Sequence, residues 1–170
     1  MRANLDDFFK MDNYKIRAEI KQLDAEVLVS AKLSKSLEDT ISNYKEELSY
    51  DVRLSYEKFQ KNAKNLLSYW YNYNTQNGNG RITLSEYLSS LRAKLNSLSI
   101  DLYELELSIY ETFKKQKNEI YESIISTIHS SFNWEYLAKK NDKYLERVKN
   151  EVLDFYYPPL NDEDLSNDVY

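Results

Sequence analysis

Apolar residues recur along this chain at alternating steps of four and three, the spacing that places them on one face of an α-helix. The clearest run is aliphatic throughout and comprises Leu84, Leu88, Leu91, Leu95, Leu98, Leu102, Leu105 and Ile109. An earlier run includes two serines and comprises Ile16, Ile20, Leu23, Val27, Ser30, Ser34, Leu37, Ile41, Tyr44 and Leu48. It drifts in phase through Val52, Tyr56, Phe59, Ala63, Leu66 and Trp70. The pattern predicts long amphipathic helices, packed either as a coiled coil or as an ordinary helical bundle.

Glycine and proline mark where these helices are expected to end. The two glycines are Gly78 and Gly80, and the two prolines are adjacent, at Pro158 and Pro159. Both residue types interrupt helices, so the chain is expected to turn at the glycines and to stop at the prolines. The predicted single helical domain, 1–157, consists of an arm 13–74, a turn 75–82, an arm 83–130 and a C-terminal helix 134–157, followed by an acidic flexible tail, 158–170.

The expected fold is all-α: a long antiparallel helical hairpin or coiled coil with a third C-terminal helix, giving a three- to four-helix bundle. The third helix is predicted from Asn133, a favoured N-cap residue that follows the polar segment from His129 to Ser131. A second break is suggested within the first arm, where Ser36 and Asp39 are spaced like a capping box.

Composition narrows the functional classes. The chain has no cysteine and one histidine, which removes thiol chemistry and sites that need two histidines. Four carboxylates of the tail account for most of the net charge of −5, so the rest of the chain is close to neutral. No broad basic surface favours nucleic acid or anionic lipid. We therefore expect no enzyme activity, no cofactor, no nucleic-acid partner and no membrane partner.

The residues around the turn resemble the calcium-binding loop of the EF-hand family. The segment from Thr75 to Glu86 places Asn77 and Asn79 at two ligand positions, Gly80 at the sixth position and Glu86 at the twelfth. Thr75 stands where the motif has an aspartate. The same residues are also typical of a turn followed by a helix cap. In that interpretation Thr83 caps the second arm, Glu86 completes a capping box and no metal binds.

Aromatic residues are concentrated at both expected ends of the hairpin. The tip holds Tyr69, Trp70, Tyr71 and Tyr73, residue types that are enriched in binding hot spots. The alternative is that they pack across the turn against Tyr87, Leu88 and Leu91. Antiparallel pairing is expected to gather a second group at the other end: Phe8, Phe9, Tyr14, Tyr144, Phe155, Tyr156 and Tyr157.

These observations favour a non-enzymatic protein–protein interaction module, such as an adaptor, a scaffold factor or an inhibitor, with Tyr69, Trp70, Tyr71 and Tyr73 as its partner-binding residues. The alternative is a calcium- or ligand-responsive helical protein that uses Asn77, Asn79 and Glu86. A two-helix hairpin buries only one stripe per helix, so homo-oligomerisation is also expected. No signal peptide or transmembrane segment is predicted, and the location is expected to be cytoplasmic or otherwise intracellular.

Overall fold

The structure of the protein is a computed structural model that describes residues 2–75, 82–116, 119–140 and 142–158. Side chains are described for residues 14–44, 46–75, 82–114, 119–130 and 143–158. The helices are α1 (Arg2–Ile41), α2 (Tyr50–Thr75), α3 (Leu84–Gln116), α4 (Glu119–Lys140) and α5 (Asp142–Tyr156), with a short 3-10 helix at Lys45–Glu47. No strand occurs in the described ranges, so the predicted all-α fold class is confirmed.

Helices α1 to α4 pack as a bundle in which consecutive helices are antiparallel. Between α2 and α3, Ser55 Oγ lies 3.3 Å from Ser108 Oγ, and Asn62 Nδ2 donates to Asp101 Oδ2 at 2.7 Å. Residue numbers therefore fall along α3 as they rise along α2. The remaining neighbouring pairs are α1 with α2, α3 with α4, α4 with α1, and α1 with α3. Helix α5 packs on α1 and α4.

The periodic apolar positions form the core, as the sequence predicts. In α2 the whole drifting run from Val52 to Trp70 is at most 5% exposed. In α3, Leu91, Leu105 and Ile109 are at most 1% exposed. Because both runs follow a helical period, each helix presents one continuous apolar face to its neighbours. The run in α3 departs from this pattern at Leu84, its first residue, which is 40% exposed.

The predicted arm 13–74 is two helices, because α1 ends at Ile41 and α2 begins at Tyr50. The break suggested at Ser36 is wrong, since that residue lies inside α1. The start of α2 is defined by Ser49, whose Oγ accepts a hydrogen bond from the Val52 backbone N–H at 3.3 Å. The backbone N–H of Ser49 in turn donates to the Tyr121 hydroxyl of α4 at 3.0 Å. A helix cap and a tertiary contact thus fix the start of α2. The cap residue, Ser49, lies eight residues after the end of α1.

Substitutions at this junction are expected to weaken the fold measurably. Ser49→Ala removes the cap and is expected to lower the free energy of unfolding by about 1 kcal/mol. Tyr121→Phe, at a side chain that is 1% exposed, leaves a backbone N–H without its acceptor and is expected to cost a similar amount, about 1 kcal/mol. Urea denaturation measures both. Ser85→Ala on the exposed start of α3 serves as the matched control, and equal stability of all three variants would contradict this account.

The second predicted arm, 83–130, is also two helices, α3 and α4. The predicted start of the third helix at 134 is wrong, since α4 continues through Asn133 to Lys140 and α5 begins at Asp142. The buried Ile124 and Ile128 carry the apolar face of α4 up to this segment. Serine and asparagine lower the stability of a helix only slightly at internal positions. They therefore do not end a helix whose apolar face is already packed.

Helix α5 ends at Tyr156, two residues before Pro158, and this confirms the stop predicted from the prolines. The tail residues after Pro158 lie outside the described residues, as do residues 76–81 of the predicted turn. Within the described part of the chain, no helix is both long enough and apolar enough to span a bilayer.

Candidate functional site

The predicted partner-binding residue Trp70 lies inside the bundle. Its side chain is 5% exposed, and its indole Nε1 donates a hydrogen bond of 2.8 Å to Asp24 Oδ1 on α1. Burial raises the pKa of the Asp24 carboxyl, although the Trp70 hydrogen bond and the charge of Lys149 act in the opposite direction. Trp70 thus joins α2 to α1, and its indole N–H already has an acceptor within the protein.

Tyr69 and Tyr73 pack on Tyr87, a residue of α3 that is 3% exposed. The ring centroids of Tyr73 and Tyr87 are 3.5 Å apart and nearly parallel, while Tyr69 is tilted against Tyr87 at 5.7 Å. The Tyr87 hydroxyl accepts a hydrogen bond from Asn74 Nδ2 at 3.1 Å, and burial raises the pKa of Tyr87 to about 12. This is the packing across the turn that the sequence offered as the alternative to a binding surface. The outward side of Tyr69 is covered by the Lys94 ammonium, 4.9 Å from the ring centroid.

Tyr71 joins the two aromatic groups that the sequence places at opposite ends of a hairpin. Its ring stacks on Tyr157 with centroids 3.9 Å apart. The predicted separation of the two groups is therefore wrong, because both arms fold into pairs of helices and α5 returns along α1. Tyr156 lies nearby, donating from its hydroxyl to the Ala31 carbonyl oxygen at 3.1 Å, and Tyr14 is 76% exposed. The side chains of Phe8 and Phe9 lie outside the described residues.

The possible metal ligands Asn77 and Asn79 lie outside the described residues, while Glu86 lies in the first turn of α3. The Glu86 backbone N–H donates to Thr83 Oγ1 at 3.1 Å, and the Tyr87 N–H donates to the Thr83 carbonyl oxygen at 2.9 Å. Thr83 therefore caps α3, as the capping-box interpretation predicts. Calcium binding by this loop stays a prediction, which isothermal titration with calcium tests directly.

A polar cluster that the sequence analysis did not identify lies between α3 and α4. The Tyr110 hydroxyl is 3.3 Å from His129 Nε2, and Glu106 lies one helical turn before Tyr110 on α3. Burial raises the pKa of the Glu106 carboxyl, and the neighbouring His129 partly offsets that rise. The two residues are 19 positions apart in sequence and lie on different helices, so no local pattern reveals their contact. The Tyr110 and His129 side chains are both exposed, so this contact between α3 and α4 lies on the surface of the bundle.

An exposed apolar stripe lies on the outer face of α3. Four large side chains recur at steps of three, four and three, and we call them the α3 stripe: Ile100, Tyr103, Leu107 and Tyr110. They are 59%, 65%, 45% and 40% exposed, respectively. The sequence does not distinguish this stripe, because the buried leucines of the same helix repeat with the same period. Only the packing of the other helices decides which face stays uncovered.

Carboxylates flank the α3 stripe. At about 100° per residue, Glu104 and Glu111 lie on one side of it and Glu106 lies on the other. Glu104 is bonded to Lys58 of α2, with 3.2 Å between Nζ and Oε2, and Glu111 is exposed. The stripe thus combines an apolar centre with a mainly acidic edge, which is the usual layout of a polar-rimmed protein contact.

The chain is therefore an all-α helical bundle with an exposed apolar face on its third helix. No protein-family model matches the chain, and neither a curated protein nor a solved structure is significantly similar to it.

Proposed function

We propose that the protein is a non-enzymatic protein–protein interaction module that binds an amphipathic helix of a partner protein on the α3 stripe. The observation that supports this most directly is the exposure of Ile100, Tyr103, Leu107 and Tyr110 on one helical face. Solvent-exposed apolar residues are ordinary when they are scattered, but a continuous row on one helix is typical of a contact surface. Anchors at this spacing are those that helix-in-groove recognition uses.

The area and charge of the stripe favour one kind of partner. Its four side chains expose roughly 400–500 Å² of surface, taking ordinary side-chain areas. A standard stable interface needs about 800 Å² from each partner, so the stripe suits one helix better than a permanent dimer of globular subunits. Glu104 is already paired with Lys58, whereas Glu111 on the same flank favours a lysine or arginine beside the apolar residues of that helix. This proposal places partner binding on the α3 stripe. The sequence predicts it instead at Tyr69, Trp70, Tyr71 and Tyr73.

Crosslinking from within the stripe tests the proposal. Benzoyl-phenylalanine in place of Tyr103 is expected to capture a partner segment that has an apolar face and basic flanks. The same crosslinker at Lys64, which is exposed on α2, is expected to capture nothing comparable. A crosslink that forms only with a second copy of this chain would overturn the partner proposal and instead support the predicted homo-oligomer.

Charge substitution in the stripe is expected to abolish that capture without unfolding the bundle. Leu107→Glu introduces a carboxylate into a half-exposed apolar centre and is expected to change the free energy of unfolding by less than about 0.5 kcal/mol. Leu54→Glu makes the same chemical change at a leucine of α2 that is 53% exposed, and we expect it to leave capture intact. Equal capture by the two variants, measured beside their denaturation curves, would contradict binding on α3.

A further inference from the structure

A cavity of about 170 Å³ lies between the helices, and Leu95, Leu98 and Leu102 of α3 line part of it. Its described lining comes from α1, α2, α3 and α4. The floor is apolar, with Phe59 1% exposed, Ile128 fully buried and Leu98 3% exposed. The rim is polar: Glu26 and Ser30 contribute from α1, and Asn96 and Ser99 contribute from α3. This division between floor and rim is the layout of a small-molecule site.

The size of the cavity limits the ligand. Cavities of about 150 Å³ with aliphatic and aromatic walls accept benzene. The floor, which includes one phenylalanine ring and several branched aliphatic side chains, has the same chemistry. An apolar body of one ring, or of a comparable branched chain, therefore fits.

The charge at the rim selects the head group. Glu26 Oε1 accepts one hydrogen bond from Gln22 Nε2 at 3.0 Å, and no lysine or arginine among the described residues forms an ion pair with Glu26. The hydroxyls of Ser30 and Ser99 donate to carbonyl oxygens of their own helices, those of Glu26 and Leu95. Among these groups, Glu26 is the one that brings a formal charge to the rim, and it is complementary to a cation.

We propose that this cavity is a binding site for small organic amines, with the apolar body against Phe59 and Ile128 and the ammonium group at Glu26. The site uses residues that are separate from the α3 stripe, so it does not depend on the proposed partner-binding function. In this proposal the cavity binds a small molecule, whereas the α3 stripe binds a partner protein.

Titration with benzylamine, followed through backbone amide NMR signals, tests the site. Benzylamine is expected to shift the amides of the lining residues, notably Leu33, Leu98 and Ser99, in a saturable manner. Toluene has the same ring without the charge and is expected to bind more weakly, while benzoate, with the opposite charge, is expected not to bind. Shifts scattered over the acidic surface, or no saturable shift, would overturn the proposal.

Two substitutions separate the contributions of charge and shape. Glu26→Gln keeps the side-chain size and an acceptor for Gln22, and it is expected to weaken benzylamine binding about tenfold while leaving toluene binding unchanged. Glu57→Gln removes a charge from the exposed face of α2 and is the matched control, with no change expected. Ser99→Trp at the exposed rim is expected to block both compounds. Asn96→Trp makes the same test if that variant fails to fold, and undiminished binding in a folded variant would overturn the assignment.

Discussion

Replacing Trp70 with alanine is expected to lower the free energy of unfolding by about 3–5 kcal/mol, the usual cost of removing a large buried aromatic side chain. The substitution opens a cavity at the interface of α1 and α2 and leaves the half-buried Asp24 carboxylate without its indole donor. Trp70→Phe leaves a smaller cavity, because it keeps a six-membered aromatic ring, but it still removes the N–H donor to Asp24. Its expected cost is about 1–3 kcal/mol. Chemical denaturation followed by circular dichroism measures both values.

Tyr50→Ala provides the control for Trp70, because that tyrosine begins α2 and is 67% exposed. We expect its effect on stability to stay within about 0.5 kcal/mol. A Trp70→Ala variant that keeps normal stability but loses its partner would restore Trp70 to the binding role that the sequence predicts. A Trp70→Ala variant that loses stability as expected would instead show that Trp70 stabilises the fold.

Replacing Asp24 is expected to have effects of opposite sign for alanine and asparagine. Asp24→Ala removes the acceptor for the Trp70 indole N–H and is expected to lower the free energy of unfolding by about 1–3 kcal/mol. Asp24→Asn keeps a carbonyl oxygen as acceptor and has no charge to desolvate. Because burial outweighs the Trp70 hydrogen bond and the Lys149 charge in setting the pKa, we expect the asparagine variant to be more stable than the natural protein at neutral pH.

The pH dependence of stability provides a second comparison of the natural protein with Asp24→Asn. The pKa of Asp24 is raised above its ordinary value of 3.8, so the folded state holds this proton more tightly than the unfolded chain. Stability contributed by this group is therefore greatest below 3.8 and falls as the pH rises from there through the higher folded pKa. Denaturation of the natural protein and of Asp24→Asn across the acidic range measures the difference between them. A difference that does not widen with rising pH would contradict the burial of Asp24.

The aromatic residues of the predicted tip show that residue type alone does not identify a binding site. Tyr69, Trp70 and Tyr73 are residue types that dominate binding hot spots, and the sequence predicts a contact surface from them. The same residues are equally suited to packing, and a partner inside the chain, Tyr87, takes up two of their rings. The α3 stripe is the converse case. Its residues follow the same helical period as the buried leucines of α3, yet they remain between 40% and 65% exposed.

The sequence by itself determined the helical class, the buried faces of α2 and α3, the cap at Thr83 and the helix end before Pro158. These features depend on interactions within a few residues: a helical period, a side chain that reaches its own backbone, and a ring that restricts its neighbour. The tertiary structure decided where each arm breaks, which apolar face stays exposed and which distant groups meet. Ser49 with Tyr121, Trp70 with Asp24 and Tyr71 with Tyr157 are such pairs. Each depends on the free energy of packing one helix against another, which local spacing does not encode.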